Sequence, residues 1–235
     1  MNTGKLYLIP NLLGDTDPAL SLPAGLPAII NTISTFFVED IRSARRFLKS
    51  VGFNAPLDIV HFELLNEHSK KEDIIHYIGH CKDGKDAGII SEAGCPGVAD
   101  PGAELVKLAH KAGIIVVPLT GPSSILLALM ASGMNGQNFT FNGYLPKEKE
   151  DRIRRIKELE KTALLKDQTQ IFIETPYRNE HLLSDILENC ATGTRLCIAC
   201  DITLATEFIQ TKNIGEWINK KPDITKRPAV FLIGK

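Results

Sequence analysis

Short apolar runs recur along the first half of this chain, and most are followed by a helical pattern. KLYLIP (5–10), STFFVED (34–40), DIVHFEL (58–64), DAGIIS (86–91) and GIIVVPL (113–119) are rich in Ile, Val, Leu and Phe. Several lack polar alternation, as strands covered on both faces must. IRSARRFLKSVG reads as a helix stopped at Gly52, and SKKEDIIHYIGHCKDG as one stopped near Gly84. PGAELVKLAHKAG reads as a third, with Pro101 in its first turn and Gly113 as its stop. Alternating strands and helices predict a mostly parallel sheet layered by helices.

The second half repeats the theme with different spacing. SSILLALMASG reads as an apolar helix ending at Gly133, FTFNGY as a strand, and KEKEDRIRRIKELEKTALLK as a long charged helix. QIFIET and RLCIAC follow as strands around a helix near 178–190; ATEFIQT, a short helix with Trp217 and AVFLIGK complete the order. Pro, Gly and Ser cluster at PLTGPSS, which divides the chain into two α/β domains, 1–118 and 119–235.

Composition excludes several classes. Lys plus Arg (27) nearly balance Asp plus Glu (28), giving a net charge of -1, which argues against a strongly basic nucleic-acid binder but leaves room for a local patch. No apolar run reaches bilayer length, so no membrane association is expected, and the start MNTGKLYLIP carries no signal-peptide pattern. Five scattered cysteines fit reduced thiols and a cytoplasmic protein.

In open parallel sheets, ligands bind beyond the carboxyl ends of the strands. The unusual loops fall there: NLLGDTDP after the first strand, EDIRSARR after the second, EAGCPGVADPG after GIIS, and TGPSS after VVPL. Glycines let backbone approach a ligand closely. Neither GxxxxGK[ST] nor GxGxxG is present, so no phosphate-cradling loop is expected.

The ordered motifs LYLIP–NLLGD, VEDIRSARRFLKSVGF, SEAGCPGVADPG, VVPLTGPSS, FNGYLPKEKEDR and IFIETPYR resemble those of tetrapyrrole-methylase-type S-adenosyl-L-methionine methyltransferases. Their pattern is most similar to the ribosomal RNA small subunit methyltransferase I branch, which methylates a cytidine ribose 2′-hydroxyl. The resemblance covers nearly the whole chain. It implies two α/β domains with the methyl donor in the cleft between them, a homodimer, and ribosomal RNA or the small ribosomal subunit as partner. Carried over by position, Glu92, Ala93, Gly94, Cys95 and Pro96 line the donor site, with Val98, Ala99 and Asp100 alongside. Ser123 and Ser124 contribute from GPSS, Pro228 and Ala229 from RPAVFLIG, and Pro10 and Gly14 close the first loop. CDITLATEF stands where the branch carries a segment with Arg and Lys, which keeps open a same-fold methyltransferase for a tetrapyrrole-like molecule or a protein, or a non-catalytic binding module.

A ribose hydroxyl is a weak nucleophile and gains from losing its proton during attack. Glu39, Asp40, Glu92 and Glu174 are candidate bases or positioning groups at strand ends, and Glu39 with Arg42 is assigned to organising the acceptor. Arg42, Arg45, Arg46 and Lys49 share one helical face, either an RNA-phosphate grip or a face neutralised by local acids. The long helix from 147 to 166 reads as a salt-laced solvent face. Cys197 and Cys200 read as buried thiols within a strand, and Cys95 as a packing or donor-contact residue. His61 and His68 are assigned to structure or to the acceptor side. The six histidines form no HExxH signature, so no metal centre is expected.

Overall fold

The structure, a computed structural model, describes residues 3–66, 68–69 and 71–235, without the side chain of Lys71. It divides into two compact units, Met1–Ser123 and Ser124–Lys235.

The first unit is built on a five-stranded sheet in which every pairing is parallel. Its strands are β1 (Lys5–Ile9), β2 (Thr35–Val38), β3 (His61–Leu64), β4 (Ala87–Ile90) and β5 (Ile115–Pro118), in spatial order β3-β2-β4-β1-β5. The helices are α1 (Leu26–Ile30), α2 (Ile41–Ser50), α3 (Lys71–Lys82) and α4 (Gly102–Lys111). Lys70, inside the run expected to form the third of these, lies outside the described residues. Side chains of β2 alternate faces, so Phe36 packs with Ile9, Ile30 and Leu48 on one side of the sheet. Phe37 packs with Leu6, Ile78 and Leu105 on the other. Two cores, one per face, are why these strands carry no polar alternation.

The second unit contains β6 (Phe139–Tyr144), β7 (Thr169–Glu174), β8 (Arg195–Cys200), β9 (Phe208–Asn213) and β10 (Ala229–Gly234), in order β6-β7-β10-β8-β9. Its helices are α5 (Ser124–Ser132), α6 (Lys149–Lys166), α7 (Asn179–Asn189) and α8 (Ile214–Asn219). Only β6 and β7 pair parallel; β10 is antiparallel to both neighbours, and so are β8 and β9. The link from Cys200 to Phe208 is too short for a crossover, which needs about a dozen residues, so β9 turns back on β8. Phe172, Phe231, Ile198 and Trp217 centre this core, and the Trp217 indole donates to the Leu196 carbonyl at 2.9 Å.

The charged face expected of α6 is interrupted. Arg152 is buried, and its Nε and Nη2 reach Asp185 Oδ2 on α7 at 2.7 and 2.6 Å. Its Nη1 donates to the Lys147 carbonyl at 2.6 Å, so this cation fastens α6 to α7 instead of facing solvent.

Candidate functional site

The site begins at the carboxyl ends of β1 and β4. These strands are neighbours, but the chain leaves β1 towards β2 on one side and leaves β4 towards β5 on the other. Such a reversal opens a crevice at the sheet edge.

At this point the two loops are joined. Asn11 and Gly94 form an isolated antiparallel bridge, with N–H···O distances of 2.9 Å from Asn11 and 3.2 Å from Gly94. The buried Asn11 side chain donates from Nδ2 to the carbonyls of Ser91 (2.9 Å) and Glu92 (3.0 Å), and its Oδ1 accepts from Leu12 N–H (2.8 Å). Gly94 has φ +70°, which a side chain would disfavour, and an added Cβ would press 3.3 Å from Leu13 and 3.5 Å from the Pro122 carbonyl. Asn11 opens the NLLGD motif but is not among the residues that the sequence assigns to the site. Its signal was an amide-bearing side chain directly after a buried strand, where loose carbonyls need donors.

The loop after β5 joins the same assembly. The Cys95 thiol donates to the Pro122 carbonyl at 3.4 Å, and Pro10 packs so closely on Gly121 that a Cβ there would collide with its ring. Burial pushes the Cys95 thiol up, which suits packing and opposes service as a thiolate nucleophile. Cys197 and Cys200 are buried in β8; burial raises both thiols, that of Cys200 to about 11.

The rest of SEAGCPGVADPG closes on Asp100, whose Oδ1 accepts from Gly97 N–H and Gly102 N–H, both at 2.7 Å. The second of these donors opens α4. Gly97 and Ala99 take positive φ, 81° and 58°, the latter a strained value for alanine. Pro96 and Gly94 are buried, whereas Glu92, Ala93, Val98 and Ala99 face outward.

The loop after β2 completes the edge. Glu39 Oε1 accepts the Glu92 N–H at 3.1 Å. Burial raises the Glu39 carboxyl above its ordinary value, the Glu92 amide opposes this, and the charges of Asp100 and Glu92 add to the rise. Asp100 is raised by burial against its two amide donors. No basic side chain figures among the charges acting on either group. Asp40 is instead the N-cap of α2, accepting from Ser43 N–H at 2.7 Å, and is lowered chiefly by that bond.

Arg42 lies exposed in the first turn of α2, on one face with Arg45, Arg46 and Lys49. None of the four is ion-paired within 4.0 Å with a described residue, although the Arg42 charge helps to lower the Asp40 carboxyl. Arg45 instead lies over the Phe62 ring at 5.5 Å.

The first unit thus brings together Pro10, Glu39, Glu92, Gly94, Cys95 and Asp100. Gly14 lies three residues beyond Asn11 and makes no hydrogen bond to these loops among the described residues. Ser123 ends the first unit, and Ser124, Pro228 and Ala229 belong to the second. There Ala229 pairs with Glu174 and Cys200, and the Pro228 carbonyl accepts from Asp201 N–H at 3.0 Å. Glu174 is engaged by Arg178 (2.5 Å to Nη2) and Thr175 N–H (2.7 Å), which makes it a structural anchor and not a free base.

The chain is similar to known proteins in sequence and in fold. The family Tetrapyrrole (Corrin/Porphyrin) Methylases matches residues 29–217. Ribosomal RNA small subunit methyltransferase I of Haemophilus influenzae is 30% identical over 98% of this chain and 78% of its own length. The Pseudomonas aeruginosa protein of that name is 28% identical over 99% and 79%. Among solved structures, the methyltransferase CobJ superposes with a TM-score of 0.66 at 17% identity, covering 99% of this chain and 95% of its own. Uroporphyrin-III-C-methyltransferase from Thermus thermophilus gives 0.56 at 18% identity, covering 99% and 92%. These two share the fold. Among the described residues no helix is long and apolar enough to cross a membrane. With its parallel first sheet, its joined loops and these relatives, the chain belongs to the tetrapyrrole (corrin/porphyrin) methylase family and is an S-adenosyl-L-methionine-dependent methyltransferase.

Proposed function

We propose that this chain methylates a cytidine ribose 2′-hydroxyl of small-subunit ribosomal RNA, holding its donor against the joined loops after β1, β4 and β5. The observation that carries the donor site is the Asn11–Gly94 bridge, which fixes the backbone of 91–95 beside a set of carboxylates. Glu39, Glu92 and Asp100 suit a ligand with a positive sulfonium and ribose hydroxyls. S-adenosyl-L-methionine supplies a methyl group already activated for displacement. The chain's task is therefore alignment, exclusion of water and removal of one proton.

Glu92, Ala93, Gly94, Cys95 and Pro96, with Val98, Ala99 and Asp100, form the donor loop in this reading, and Pro10 and Gly14 border it. Ser123, Ser124, Pro228 and Ala229 are assigned to the donor by their place in the family motifs. Glu39 takes the proton from the attacking hydroxyl: it is partly buried, its carboxyl is raised towards the working pH, and one oxygen is already fixed by Glu92. Arg42 and the basic face of α2 receive RNA phosphates, consistent with their lack of ion pairs. The same reading makes the chain a cytoplasmic homodimer.

A second reading, a different acceptor on the same fold, rests on the segment after β8. Asp201 there accepts from Arg227 Nε and Thr206 Oγ1, both at 2.8 Å, and 201–207 contains no cation to offer RNA. Comparing ribose methylation of small-subunit RNA from cells with and without the gene decides between them. Loss of one 2′-O-methylcytidine with the gene supports the first reading; an unchanged RNA overturns it.

A further inference from the structure

Three potential metal ligands, His61, Glu63 and His80, come together on the edge strand β3 of the first sheet and the helix over it. His61 and Glu63 are two residues apart on the edge strand β3, so both side chains leave the same face. His80, near the end of α3, comes over that face from the covering helix. One ligand atom from each of the three lies within 4.8 Å of the others. His61 Nε2 stands 2.8 Å from Glu63 Oε1, and the two imidazole centroids are 5.3 Å apart.

A His–Glu hydrogen bond explains the first pair and leaves the third residue unexplained. The His80 ring is half-buried and has no hydrogen-bond partner among the described residues, although it faces a carboxylate and a second imidazole. Its position is framed by packing: Phe37 lies 6.3 Å from it, and Tyr77, one turn earlier on α3, stacks on Phe37 at 5.0 Å and donates to the Leu64 carbonyl at 2.7 Å. Strand, helix and aromatic frame thus hold three donors around one point.

We propose that His61, Glu63 and His80 bind a divalent late first-row transition ion, with zinc as the best match. Two imidazole nitrogens and one carboxylate oxygen are the zinc donor set, with bond lengths of about 2.0–2.2 Å that put tetrahedral ligands about 3.3 Å apart. From the present spacing the His61–Glu63 contact opens slightly and the other pairs close by at most about 1.5 Å, within reach of side-chain rotation. The side chains of His61 and Glu63 are 55% and 32% exposed, so the fourth position falls to water. The ion clamps β3, an edge strand with one partner, to the helix above it.

The test is calorimetric titration of the metal-stripped full chain with zinc chloride, beside His80→Ala, Glu63→Gln and His110→Ala. The site predicts one zinc per chain in the wild type and in His110→Ala, whose histidine lies exposed on α4. It predicts at least about a tenfold weaker affinity in the other two. Cobalt(II) bound to the wild type should give the visible ligand-field bands of a tetrahedral site, absent from His80→Ala. Circular dichroism of each metal-free variant shows whether it folds, and Glu63→Gln preserves the test should His80→Ala unfold. Absence of saturable zinc uptake, or uptake that both variants leave unchanged, overturns the proposal.

Discussion

Asn11 and Gly94 hold the loops of two adjacent parallel strands together through reciprocal backbone hydrogen bonds, and the Asn11 amide adds two more to the carbonyls of Ser91 and Glu92. Replacement of Asn11 by Ala leaves those carbonyls without their donor, at a cost of about 1–3 kcal/mol. Donor affinity should fall with it, because residues 91–95 lose their anchor. Urea unfolding and titration with S-adenosyl-L-methionine check both effects; a variant matching wild type in both removes the joint from the site.

Gly121 faces the Pro10 ring with no room for a methyl group. Gly121→Ala should destabilise by roughly 1–3 kcal/mol, the range for overpacking, and should weaken donor binding. A thermal melt equal to that of wild type would show that the loops after β1 and β5 yield independently.

Glu39 gives a pH test with a defined sign. Its carboxyl is raised above 4.5 by burial, so the neutral form is favoured in the folded chain. The stability tied to that form is complete below pH 4.5 and is lost as the pH rises through the raised value. Glu39→Gln, neutral throughout, should therefore melt slightly higher than wild type near pH 7, with the gap closing in acid. The same substitution should lower methyl transfer by about 10²-fold or more if the group is the base. A fully active Glu39→Gln enzyme would rule out the proton-transfer role.

The unpaired face of α2 is predicted to act through phosphates. Removing Arg45 and Arg46 together should weaken RNA binding and flatten its dependence on salt, by a slope of about 0.7–0.9 for each phosphate no longer neutralised. Filter binding at several salt concentrations measures this. Unchanged affinity assigns the face to bulk solvent.

In the second unit, Asp185→Ala leaves the Arg152 guanidinium buried without its counter-charge and should cost about 3–5 kcal/mol. Arg152→Met combined with Asp185→Leu should recover most of the loss, since an apolar pair escapes the desolvation penalty. Additive losses in urea unfolding would contradict this account.

The first sheet was legible because its strands are buried on both faces and separated by helix-length segments. The four loops at its edge could be picked out by their glycines and prolines, and the family motifs named the donor. Other features depend on partners distant in the chain. Arg152 looks like one more charge on a charged helix until Asp185 arrives from the next one. α1 is hidden because Pro23, Gly25 and Pro27 break its pattern. The antiparallel β8–β9 pairing was readable from the short link between them, but strand–helix alternation elsewhere masked it. His80 joins His61 and Glu63 only once α3 folds over β3.

The Asn11–Gly94 joint also bears on how this protein can be redesigned. The Asn11 bonds are made to backbone atoms, so a library varied at 91–96 keeps them wherever residue 94 still holds its positive φ and its close approach to Leu13. Changing donor preference calls for drawing residues 10–14 and 91–96 as a single mutational unit, with Gly121 held constant beneath Pro10.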